Sequence, residues 1–175
     1  MGKTIFNILT LFIFAFIPGT IFSQDIPTPD EALRVVDFYN NGKGTGVILM
    51  ESKICRDVHR EGSSKYECKN EIIEFGELKA DGSAPDIFHK IRMGDSAYIW
   101  MAYLVPVGAK EKIFLRYNLE GETKRTSGKL DVKGSIRYRT WISFAPPSKG
   151  TWEIEIFHDS ASGPIKQGTF DLIVE

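Results

Sequence analysis

From Val47 to the C-terminus, apolar residues recur at every second position in short runs broken by turn residues. That period constrains the fold more than any other feature, because alternate side chains of a strand point to opposite faces and a period of two buries one of them. The final pair of runs shows it best. Trp152, Ile154 and Ile156 alternate with Glu153 and Glu155, while Phe170, Leu172 and Val174 alternate with Asp171, so both apolar sets face one core. Candidate strands cover residues 46–51, 53–59, 65–75, 96–105, 113–118, 123–132, 136–144, 152–157 and 169–174. Turn chemistry separates them at Asp81-Gly82-Ser83, Pro106-Val107-Gly108, Glu120-Gly121, Lys133-Gly134, Pro146-Pro147-Ser148 and Ser160-Ala161-Ser162-Gly163. Short strands at this spacing, with no helical period between them, predict an antiparallel sandwich or barrel rather than βαβ units.

The first 45 residues read differently. Lys3 is the one charge before Asp25, and residues 8–17 are apolar at every position but Thr10. Pro18-Gly19 then interrupts the run, and Ser23 offers a small residue before a polar start. A positive segment, an apolar stretch of about ten residues and such a boundary predict a secretory signal over residues 1–23. An uncleaved anchor would need about 20 apolar residues. The leader holds no Cys for lipid attachment, and no later segment resembles a membrane-spanning helix. Residues 24–45 are expected to form a short N-terminal helix and linker. Thr28 can cap it, Pro29 suits its first turn, Asp30 and Glu31 favour its positive end, and Asn40-Asn41-Gly42 stops it. Residues 46–175 are expected to form the β-sandwich domain.

Export would place Cys55 and Cys68 where thiols pair. A hairpin centred on Glu61-Gly62 sets the two opposite each other within disulfide reach, with Arg56 opposite Glu67. Closing so short a loop stabilises by about 3 kcal/mol in the chain-entropy model. A redox-active pair would show C-x-x-C spacing, and a zinc site would need more ligands than His59 supplies, so no metal is expected.

Charge argues against one class of partner. With 22 Lys and Arg against 23 Asp and Glu, the net charge is −1, and removing the signal makes it −2. Nucleic-acid affinity rests on a basic surplus, which is missing. Motifs for catalysis are missing as well. The Gly42-Lys43-Gly44-Thr45-Gly46 run lacks the first glycine and the Ser or Thr of a phosphate loop. His59, His89 and His158 are scattered without metal or hydrolase spacing. Glu153 and Glu155 lie on one strand face, not across a cleft, and read as solvated. The most suggestive stretch is Arg137-Tyr138-Arg139-Thr140-Trp141, whose alternation sets Arg137, Arg139 and Trp141 on one face. Arg and Trp together favour recognition of proteins or sugars. The structural alternative pairs the arginines with Glu153 and Glu155 and tucks Trp141 against a core edge.

Four segments in order, Gly94-Asp95-Ser96-Ala97-Tyr98-Ile99-Trp100, Phe114-Leu115-Arg116-Tyr117 leading to Gly121-Glu122, Tyr138-Arg139-Thr140-Trp141 and Gly150-Thr151-Trp152-Glu153-Ile154-Glu155-Ile156, resemble a bacterial family of exported domains of unknown function. Ile154 and Ile156 stand where that pattern has Val. The likeness covers roughly residues 50–175 and implies an immunoglobulin-like β-sandwich with a non-catalytic accessory role; it transfers no active site and no cofactor. The expectation is therefore an all-β periplasmic or extracellular binding module whose partner is a protein or a glycan, not an enzyme. An envelope structural or stress-related protein is the first alternative, and a secreted hydrolase the second.

Overall fold

The computed structural model describes residues 28–30, 32, 33, 35, 46–76 and 85–175. The signal over 1–23 and the phosphate-loop-like run, apart from Gly46, lie outside them. Nine strands follow in order: β1 Ile48–Val58, β2 Cys68–Glu71, β3 Glu74–Phe75, β4 Ile87–Ile91, β5 Ala97–Leu119, β6 Glu122–Thr126, β7 Leu130–Phe144, β8 Gly150–Ser160 and β9 Gly163–Val174. The all-β expectation holds. The short N-terminal helix is not seen as an element. Of residues 24–45, the described ones form a helical turn in which the Ala32 N–H donates to Thr28 O at 2.9 Å.

All nine strands belong to one hydrogen-bonded sheet in the order β2-β1-β5-β8-β9-β4-β3, with β6 and β7 both on the other side of β5. The cause is β5. Pro106-Val107-Gly108, expected as a turn between two strands, is a bulge inside one 23-residue strand. The first half of β5 pairs with β1 and the second with β8, while β6 and β7 run back along its whole length from the two-residue turn at Glu120-Gly121. Gly134 of β7 permits the bend. A Cβ there would stand 2.9 Å from both Gly108 N and Pro106 O, closer than real side chains come to backbone.

The sheet curls so that Ile54, Ile99, Met101 and Tyr103 from one half meet Leu115, Tyr117, Ile154, Ile156 and Leu172 from the other in one buried cluster. Phe144 stacks on Tyr117 (4.3 Å) and meets Trp152 edge-on (5.4 Å), and burial pushes the Tyr117 hydroxyl up to about 12. Gln167 Nε2 donates to Val47 O at 2.7 Å, tying β9 to the start of β1. The pairing of the last two strands follows the alternation, with Trp152 opposite Leu172 and Ile154 opposite Phe170. One pair departs from the antiparallel expectation: β4 runs parallel to β9, reached from a distant part of the chain.

Candidate functional site

Arg137, Arg139 and Trp141 share the outer face of the first half of the sheet, as their spacing implies. Register aligns Lys53, Trp100 and Trp141 across β1, β5 and β7, and Glu51, Ala102 and Arg139 in the next row. Trp100, Ala102 and Leu104 all point outward, yet none is more than 1% exposed. Two covers account for this. Val35 packs with Ile48 on Met50 and Leu104, and the loop between β1 and β2 lies over Trp100. The Trp100 Nε1–H donates to Tyr66 O at 2.6 Å, so a buried indole finds its partner in that loop.

The loop is where the hairpin expectation needs correction. Cys55 and Cys68 are joined, with Cα atoms 5.8 Å apart, but they are not opposite each other. Cys55 faces Glu71 and Val58 faces Cys68, so pairing is displaced by three residues from the register centred on Glu61-Gly62. The physical reason is a wide turn. The Tyr66 N–H donates to His59 O at 2.7 Å and the His59 N–H to Glu67 O at 2.9 Å, closing the loop around residues 60–65. Gly62 (φ +78°) and Tyr66 (φ +72°) both take the left-handed conformation that this requires. Arg56, expected against Glu67, lies instead 3.7 Å from Asp95.

Glu67 is thereby free to face the arginines. Arg137 Nη1 lies 2.7 Å and Arg139 Nε 2.8 Å from the same Glu67 Oε1, and Arg137 Nη2 lies 3.3 Å from Glu51 Oε2. Lys53 Nζ completes the group at 2.6 Å from Glu51 Oε1 and 3.9 Å from Glu71 Oε2. Burial pushes the Glu51 carboxyl up, but Lys53 and Arg137 outweigh it and hold the group below the ordinary glutamate value. Both arginine side chains are about nine-tenths buried. The structural alternative of pairing with Glu153 and Glu155 is overturned, because β7 borders β5 and not β8.

Those two glutamates belong to a separate network on the outer face of the other half. Asn118 Nδ2 donates to Glu153 Oε2 at 3.0 Å and Glu155 Oε2 at 3.1 Å, and Lys166 Nζ donates to Glu155 Oε1 at 2.9 Å. Lys166 first, and then Asn118 and Arg116 acting against burial, hold the Glu155 carboxyl low. Glu155 is buried rather than solvated, a correction that follows from this cover of polar side chains.

Beside the arginines, Tyr66 and Trp141 stand as a tilted aromatic pair with ring centroids 5.8 Å apart. They border a shallow groove of about 430 Å³ together with Ser135, Arg137, Tyr138, Arg139 and Thr140. Sequence reasoning missed Tyr66, Glu67 and Glu51 as members of this site. They come from a different part of the chain, and no local pattern announces them. The histidines stay apart in role: His89 Nδ1 lies 2.6 Å from Ile72 O, and His158 Nε2 lies 3.0 Å from Glu111 Oε2. Among the described residues no group of three His, Cys, Asp or Glu side chains is placed to hold a metal ion, and no helix is long and apolar enough to cross a membrane.

No family model matches the chain, and no curated protein matches it. Among solved structures, an engineered protein is similar over 49% of this chain and 17% of its own length, at 13% identity and a TM-score of 0.33. The CARDB domain of a Pyrococcus furiosus protein is similar over 49% of this chain and 84% of its own length, at 14% identity and a TM-score of 0.32.

Proposed function

We propose that this is an exported, non-catalytic binding or accessory module of immunoglobulin-like type that meets a protein or glycan partner at the Tyr66–Trp141 groove. The observation that carries the reading is the aromatic pair held open beside two nearly buried arginines on a face stapled by a disulfide. Aromatic and arginine side chains on a rigid support are what recognition surfaces favour, since they offer contact area at little cost in ordering. Export is supported by the leader pattern, and the Cys55–Cys68 bond is what an oxidising compartment maintains.

A glycan array and capture of partners from the envelope fraction test the reading together. A glycan signal lost in Trp141→Ala, with the fold retained by circular dichroism, identifies a glycan partner. Silence on every glycan together with one stoichiometric protein held by the wild type and released by Trp141→Ala identifies a protein partner. Silence in both assays overturns the reading in favour of an envelope structural protein.

A further inference from the structure

We infer that the Cys55–Cys68 bond is a redox switch for the aromatic site: a dithiol that opens it releases the loop after β1, parts Tyr66 from Trp141 and leaves the core folded. That this parting gates a partner rests on the binding-module reading; the parting itself does not.

The bond and the core lie on opposite faces of the sheet. Cys55, Trp100 and Ala102 form a small outer cluster with Val58, and Cys68 and Trp141 pack against it. Their sequence neighbours Ile54, Ile99 and Met101 belong to the main cluster on the other face, as alternation requires, and neither cysteine does. Opening the bond therefore loosens the outer cluster and spares the one that joins the two halves of the molecule.

What the bond holds is the loop. Residues 60–66 are all exposed, so no side chain among them is anchored in a core. The loop is tied to the sheet at its root, by three consecutive residues. Tyr66 accepts the Trp100 indole N–H and sets its ring against Trp141, Glu67 faces the arginines, and Cys68 carries the bond. Tyr66 holds a left-handed backbone (φ +72°), which a residue with a side chain keeps only where its surroundings impose it. The chain beyond, β2, is an edge strand of four residues, three of them exposed. Firm anchorage resumes at buried Val58 on one side and buried Ile72 on the other, where the Ile72 N–H donates to Ile54 O at 2.7 Å. Once the sulfurs part, the stretch between these anchors can relax Tyr66 and carry its ring away from Trp141.

The two sulfurs are unequal. Cys55 is fully buried, whereas Cys68 keeps some exposure. A thiolate of the dithiol attacks Cys68 Sγ, the S–S bond breaks, and Cys55 leaves as a thiolate that takes a proton from solvent. The second thiolate of the dithiol then displaces Cys68, which is protonated in turn. The protein gains two electrons and two protons, and the dithiol gives them up in becoming a disulfide. Without such a dithiol, an oxidising compartment keeps the bond closed.

The test reduces isotope-labelled wild-type protein with dithiothreitol under native conditions and caps the thiols with iodoacetamide. Contacts between the rings of Tyr66 and Trp141 should vanish from nuclear Overhauser spectra, and the Trp100 indole proton should exchange about tenfold faster or more. Resonances of β8 and β9 should stay in place, and reoxidation of uncapped protein should restore the contacts. Glutathione used alone should be captured on Cys68 and not on Cys55, as peptide masses read. Rings still in contact after the bond opens would overturn the switch and leave a staple. Collapse of the β8 and β9 resonances together with the loop would overturn it as well, because the bond would then support the core. So would a bond that resists dithiothreitol until denaturant is added. Partner binding that persists in reduced protein with parted rings would overturn the gate while leaving the module standing. Failure of the module itself reads separately, as silence of the oxidised protein in both the array and the capture.

Discussion

One strand passes through both halves of the molecule and is written differently in each. Over residues 97–105, β5 reads Ala-Tyr-Ile-Trp-Met-Ala-Tyr-Leu-Val with no polar break, while over residues 113–119 it reads Ile-Phe-Leu-Arg-Tyr-Asn-Leu, with Arg116 and Asn118 on the outer face. The difference records what lies outside. The outer face of the first half is covered by chain, the disulfide-held loop at one end and Val35 at the other. That of the second half is covered by its own side chains: Arg116 lies over Phe157, which stacks on Phe114, and Asn118 bridges the glutamates. An unbroken apolar strand marks a sheet buried on both faces, and such a run is a signal that something packs outside. In this protein what packs there carries Tyr66 and Glu67 to the site.

The sharpest way to break the comparison is Trp100→Ala. Trp100 is fully buried on the covered outer face and anchors the loop through Tyr66 O. Removing an indole of this burial costs about 3–5 kcal/mol, read by urea denaturation. Asn118→Ala, the matching outward position in the other half, should cost about 1 kcal/mol, one set of exchanged hydrogen bonds. Equal losses would show that the loop is not a cover.

Replacing Cys55 and Cys68 together by Ala comes next. It should cost about 3 kcal/mol by releasing a loop with a sequence separation of 13. Hydrogen exchange should rise in residues 59–67 and in the first half of β5, and stay unchanged in β8 and β9. Native protein labelled by a thiol reagent, or a mass equal to that of the reduced form, would contradict the bond.

How far the sequence reaches divides along the same line. The β8–β9 hairpin is legible in its alternation, which puts Trp152 and Ile154 on the same face as Leu172 and Phe170, but not in its full length or in the bulge at Ile156/Phe157, which shifts the register set by the Ser160–Gly163 turn by one residue. The cysteine pairing is legible, but its register is not, since the wide turn depends on a left-handed Tyr66 that no propensity favours. Residues 87–91 escape notice as a strand because their partner, β9, is more than 80 residues away and parallel. The continuity of β5 escapes because Pro106-Val107-Gly108 has the chemistry of a turn, and only the approach of Gly134 shows it to be a bulge. Arg137, Arg139 and Trp141 are visible as a motif. Their partners Glu67 and Glu51 are not, because which strand borders β7 is a property of the whole topology.

Glu67→Gln probes that topology with a smaller effect. One carboxylate oxygen faces both Arg137 and Arg139, so its neutralisation weakens a charged contact shared by two nearly buried side chains and should cost about 2 kcal/mol. Glu153→Gln, in the half where the arginines were expected to find their partners, should cost less than about 0.5 kcal/mol. A larger loss from Glu153 than from Glu67 would place the arginines back against β8.

The smallest effect compares the halves through pH. Glu51 in the first and Glu155 in the second both have carboxyls held below their ordinary value, by Lys53 and Arg137 against burial in one case and by Lys166 foremost in the other. A carboxylate depressed in the folded state stabilises it above its unfolded pKa of about 4.3, and that contribution fades as pH falls through the folded value. Stability should therefore be level above about pH 5.5 and decline on acidification below about pH 4.5. Glu51→Gln and Glu155→Gln should each flatten the decline by about 0.5 kcal/mol, as partly solvated pairs do. Glu51 is bound into a network that includes the loop, so acid should loosen residues 59–67 before β8 and β9, as hydrogen exchange at pH 4 against pH 6 would show. Simultaneous loosening of both halves would mean that the covered face has no weaker seam of its own, and that the curled sheet responds to acid as one body.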